Sequence, residues 1–144
     1  MRKLFTLRRS DRGAAAIEMA IALPVLVLFV YGIFEIGVAG QAIAGMQHGL
    51  GEGARFATVC FSPSSSGVCT VPTDDAIKAK IQDKKFGVGV GTFDDPLVTT
   101  PVSTDCTNCR DLSVTFHMPM NFLFFSAPTI NITRTKRVYL ANLS

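Results

Sequence analysis

The sequence predicts an α+β protein: a long N-terminal transmembrane helix extending into the periplasm, followed by a small antiparallel-sheet head with one helix. Three observations carry that prediction. Residues 14–34, AAAIEMAIALPVLVLFVYGIF, are an apolar run whose one charge is Glu18. Residues after Glu35 take up the three- and four-residue apolar spacing of an amphipathic helix. The remainder holds a capped helix pattern, alternating strand patterns and four cysteines.

The length of 144 residues fits one small head and an anchor, which excludes a multidomain enzyme. Charged residues make up 17%, below the roughly 25% of an ordinary soluble domain. The net charge of +3 comes from the N-terminal leader, where Arg2, Lys3, Arg8, Arg9 and Arg12 face one acid, Asp11. From Ala14 onward the acids slightly outnumber the bases. A basic leader that runs directly into an apolar helix, without interleaved aromatic residues, does not suit a nucleic-acid partner.

As a helix, residues 14–34 would measure about 31 Å, close to the roughly 30 Å hydrocarbon core of a bilayer. The transmembrane segment is read as 14–36. Pro24 inside it removes one helix hydrogen bond and predicts a bend, which membrane helices tolerate. Positive charge ahead of the segment and Glu35 near its end put the N-terminus in the cytoplasm and the head outside, in the periplasm of a bacterium. A cleavable secretory signal is the competing reading, with small-residue sites at Val38-Ala39-Gly40 or Ala42-Ile43-Ala44. Against it, the apolar run exceeds an ordinary signal core and contains an acid.

An acid inside a membrane helix must find a partner, become neutral or reach the interface. Glu18 follows Gly13 by five residues, in G-A-A-A-I-E-M at the head of the apolar run. This resembles the processing site of type IV prepilins and pseudopilins, which implies cutting after Gly13 by a prepilin peptidase. Cleavage would remove the leader and leave an α-ammonium on Ala14, about 6 Å along the helix from Glu18. The resemblance implies that Glu18 meets the ammonium of a neighbouring subunit and fixes axial register.

The likeness narrows further along the chain. Gly13, Glu18, Leu23-Pro24, the Gly-Ile-Phe-Glu of 32–35 and the Ala-Arg-Phe-Ala-Thr of 54–58 stand in this order over about a third of the sequence. Together they resemble the TadE-like family of the bacterial tight-adherence (Tad) pilus machinery. One departure is Met19, which stands where Tad pilins and many pseudopilins carry an aromatic residue. The family implies an inner-membrane location and, as partners, a prepilin peptidase, a secretion ATPase platform and a second TadE-like or TadF-like protein.

In residues 37–58 the apolar positions Ile43, Met46, Leu50, Ala54 and Ala57 recur at helical spacing, so the helix is expected to leave the membrane and continue to about Thr58. Glycine in a helix costs up to about 1 kcal/mol relative to alanine. Gly45, Gly49 and Gly53, four apart, form a small-residue ladder that would let another helix approach closely; a flexible hinge is the alternative.

Residues 59–144 are read as the periplasmic head. The stretch 60–70, CFSPSSSGVCT, is a loop bounded by cysteines. In 73–86 a capping Thr73, acids in the first turn and lysines in the last predict a surface helix ending at Gly87. The alternation of 112–116 and 129–140 predicts two strands, with a turn-prone stretch between Pro119 and Pro128, and the VGVG of 88–91 reads as a turn.

A small head in an oxidising compartment favours disulfides, and four cysteines allow three pairings. The favoured one joins Cys60 with Cys69 and Cys106 with Cys109. The CTNC of 106–109 could instead be redox-active or bind metal, although no strand-to-helix pattern surrounds it and the four thiols have no regular zinc spacing. His48 and His117 have no nearby acid or nucleophile in sequence that would suggest a triad, and His117 is expected to be a facing residue of the sheet. No nucleotide motif, cofactor or catalytic group is expected.

Two functions follow. The first is a non-enzymatic, single-pass pseudopilin or minor pilin of the tight-adherence (Flp-type) apparatus. The alternative is a signal-anchored periplasmic thiol-disulfide or binding module using Cys106 and Cys109.

Overall fold

Residues Asp11–Thr58 form one helix, α1, which runs through Pro24 without interruption. The computed structural model describes residues 11–59, 70–87, 89–101, 106, 108–122 and 126–140. In its first half α1 exposes its large apolar side chains: Ile17, Ile21, Leu26, Phe29 and Ile33 are all more than half exposed. Its most apolar 18-residue stretch has a mean hydropathy of 2.3, so α1 is long and apolar enough to be a candidate membrane span.

The second half buries a stripe of Val38, Ala42, Met46, Leu50, Ala54 and Ala57 at three- and four-residue spacing. Met46, Leu50, Ala54 and Ala57 are the expected positions; Ile43 packs at the edge of the cluster.

The second helix, α2, is Asp74–Lys84. Thr73 caps it, its Oγ accepting from the Ala76 N–H at 3.3 Å, and Asp74 and Asp75 occupy the first turn. It ends two residues before the expected stop because Lys85 is already extended while its N–H still donates to Ile81 O at 2.9 Å. Ile77 and Ile81 are fully buried.

Four strands make one antiparallel sheet: β1 (Thr92–Phe93), β2 (Leu97–Thr99), β3 (Cys109–Met118) and β4 (Ile130–Tyr139). The central strand is β3. It pairs with β4 along one edge from Cys109↔Tyr139 to Met118↔Ile130, and with β2 and β1 in turn along the other. The expected strand at 112–116 is longer at both ends, and β1 and β2 are strands that the sequence reading did not contain. The Asn121↔Ser126 bridge and the Ala127 N–H donating to Met120 O at 2.8 Å close the β3–β4 connection.

Leu112, Val114, Phe116 and Met118 on one face of β3 pack with the α1 stripe and the two α2 isoleucines into a single core. Gly91 ends the turn before β1 with φ 99°, where a Cβ would lie 2.6 Å from His117 O.

Candidate functional site

Gly13, Ala14 and Glu18 lie on the first turns of α1, all exposed, and among the described residues nothing beyond the helix's own adjoining turns comes within 4 Å of where a Gly13 Cβ would stand. Nothing within the described chain occupies the space beside this end of the helix. It is an apolar surface interrupted by one acid.

The glycine ladder meets α2 and the residues directly after it in the same chain. A Cβ at Gly45 would overlap the carbonyl oxygen of Phe86, and one at Gly53 would overlap Cγ1 of Ile81. At Gly49 it would lie 3.1 Å from Ile81 O. Descending numbers on α1 meet ascending numbers on α2, so the two helices are antiparallel, and the glycines let the α2 backbone come close. This face is filled within the chain rather than left open to a neighbour. His48 joins the same contact, its Nδ1 lying 3.0 Å from Lys84 O and its ring against Phe86.

One further member of the buried stripe is Glu35, 3% exposed, one helical turn before Val38. The Tyr31 phenol, a turn earlier again, interacts with its carboxylate, while Oε2 has no hydrogen-bond partner among the described residues. The Tyr31 ring also lies edge-on to Phe122, with centroids 6.1 Å apart. Extending the Leu50–Met46 spacing back through Ala42 and Val38 reaches Glu35, whereas the apolar series legible in the sequence began at Ile43.

Cys106 and Cys109 are joined by a disulfide at the start of β3, with Cys109 fully buried. The pair precedes a strand, whereas a reactive thiolate is usually activated at a helix N-terminus. Cys60 and Cys69 lie outside the described residues.

The outward face of β3 and β4 carries polar pairs set by strand register. Arg137 donates through Nε and Nη2 to the two oxygens of Asp111 at 2.7 and 2.8 Å, which holds the Asp111 carboxyl below the usual aspartate range. His117 lies between Asp94, 2.8 Å from Nε2, and Asn131, 2.7 Å from Nδ1. An acceptor at each nitrogen suits the doubly protonated ring. The Asp94 hydrogen bond, then the one to Asn131, raises the His117 pKa above its ordinary value of about 6.5.

These contacts join residues far apart in sequence, so only the strand register reveals them. Stabilisation from the His117 pair is therefore complete below about pH 6.5 and disappears as pH rises through the raised folded-state value. In an NMR titration of the two histidines, His117 should titrate above 6.5, and Asp94→Asn should bring it back down.

One comparison bears on the N-terminal part: residues 13–55 are similar to the family model described as TadE-like protein. The match begins at Gly13 and takes in Glu18, Leu23-Pro24, Glu35 and the whole glycine ladder. The matched segment therefore includes both the exposed apolar half of α1 and most of the half that seats the head. Neither comparison with curated proteins nor comparison with solved structures gives a match.

Proposed function

We propose that this chain is a non-enzymatic, single-pass pseudopilin or minor pilin of the tight-adherence (Flp-type) pilus apparatus, anchored in the bacterial inner membrane with its head in the periplasm. The observation that carries the reading is the TadE-like match over a helix whose first half presents unpaired apolar side chains. Such a surface is satisfied by lipid or by other membrane helices. The leader's positive charge supports a cytoplasmic N-terminus, and the Cys106–Cys109 disulfide suits an oxidising compartment.

In this reading a prepilin peptidase cuts after Gly13. The new ammonium of Ala14 and the carboxylate of Glu18 on an adjacent subunit neutralise one another in lipid and set axial register. Because the glycine ladder is covered by α2, subunit packing falls to the segment before Glu35. The other partners are further Tad components, including a second TadE-like or TadF-like protein.

Intact mass and N-terminal sequencing of the membrane-extracted protein test this. A mature start at Ala14 is expected, and Glu18→Ala should abolish or sharply reduce piliation at unchanged protein level. A chain that keeps Met1 removes the ammonium partner and with it the register mechanism. A start after Gly40 or Ala44 overturns the membrane anchor.

A further inference from the structure

The two ends of the sheet are chemically unlike. From 118 to 133 the chain carries no charged side chain, and Phe122 directly follows Asn121, which bridges to Ser126. At the far end of the same two strands stand Arg110, Asp111, Lys136 and Arg137.

The Tyr31–Phe122 ring contact fixes the apolar end at a definite height on α1. Tyr31 lies about 7.5 Å, at 1.5 Å per residue, before the outer end of the 14–36 segment. On both sides of it α1 exposes Val30, Ile33, Phe34 and Ile36. Ile130, where β4 begins, is 44% exposed beside the same end of the sheet.

We infer that the β3–β4 hairpin tip at Phe122 is a second membrane contact of the head, inserted into the interfacial layer of the bilayer that α1 crosses. The inference rests on α1 being a membrane span. Given that span, Phe122 cannot stand beside Tyr31 without reaching the depth at which aromatic side chains favour the headgroup boundary. The occupant of this surface is lipid. An uncharged tip loses no ion hydration on entering the interface, and the charged end of the sheet is held away from it. With α1 as one attachment and the tip as another, the head is fixed in tilt as well as height, which a single helix would not do.

The chain contains no tryptophan, so one introduced residue reports its own surroundings. Full-length Phe122→Trp, Ile130→Trp, Leu26→Trp and Tyr139→Trp proteins are reconstituted into phosphatidylethanolamine and phosphatidylglycerol vesicles. These contain phosphatidylcholine brominated either near the glycerol end or near the methyl end of its acyl chains. Both orientations in the vesicle give the same answer, because the tip meets whichever leaflet the head faces.

Phe122→Trp should lose about twofold in fluorescence with the shallow bromines and less with the deep ones, as expected of an aromatic ring at headgroup level. Leu26→Trp should show the reverse preference, and Tyr139→Trp should be unaffected. Ile130→Trp should follow Phe122→Trp and gives the result independently if the latter does not fold. Quenching at Leu26 with none at Phe122 or Ile130 overturns the inference and leaves the span intact. Shielding of the Phe122 reporter from both bromine and aqueous acrylamide places the tip against protein and overturns it too. No quenching at Leu26 means that the span itself fails, and the inference with it.

Discussion

Gly45→Ala is expected to lower the thermal unfolding midpoint of the head, whereas Gly51→Ala, six residues further along the same helix, is expected to raise it. Both substitutions gain helix propensity worth up to about 1 kcal/mol. They differ in what the new methyl meets. At Gly51 there is open space, while at Gly45 the methyl overlaps the carbonyl of Phe86, a backbone atom that no rotamer change can move.

Forcing α2 outward there should cost about 1–3 kcal/mol, as in other overpacked cores, and for a small domain each kcal/mol shifts the midpoint by roughly 4–8 °C. Gly53→Ala should fall between the two, since the obstacle is the Ile81 side chain, although Ile81 is fully buried and has little room. The measurement is the circular-dichroism melt of the detergent-solubilised protein. A Gly45→Ala midpoint that rises like that of Gly51→Ala would mean that α2 does not sit on this face and that the ladder is open to another subunit.

The glycine ladder also illustrates how far the sequence could be read. Four-residue glycine spacing announces that something approaches closely, and the capped pattern at 73–86 announces a helix; neither says that the second fills the space left by the first. That juxtaposition is a tertiary property which no local pattern encodes. The strands divide in the same way. The alternation of β3 is written by side chains that face the core on one side, and β4, with its buried position at Val138, still alternates in sequence over 129–140, so both were legible. The short β1 and β2, with one buried position at Val98, present too little alternation to be seen alone. At the candidate site, Glu18 was conspicuous because an acid in an apolar run is anomalous by itself. His117 was not, because its partners Asp94 and Asn131 come from the turn after β1 and from β4.

Glu35→Leu is expected to stabilise the isolated protein. Glu35 opens the buried stripe of α1 at 3% exposure, yet its Oε2 has no hydrogen-bond partner among the described residues, and a buried acceptor left unsatisfied costs about 1–3 kcal/mol. Leucine has similar reach, continues the apolar stripe through Val38 and Ala42, and removes the orphaned oxygen. The midpoint should therefore rise by an amount corresponding to about 1–3 kcal/mol. Glu35→Ala should do worse than leucine, because it also leaves a cavity.

Tyr31 supplies the internal control. Removing its hydroxyl by Tyr31→Phe deprives the carboxylate of the phenol donor and should destabilise the protein when Glu35 is present, but should be nearly neutral in the Glu35→Leu background. That non-additivity would show the phenol and the carboxylate acting as a pair. A fall in the midpoint on Glu35→Leu would mean instead that Oε2 is satisfied in the folded protein, and the stripe would then begin with a polar contact and not with a tolerated defect.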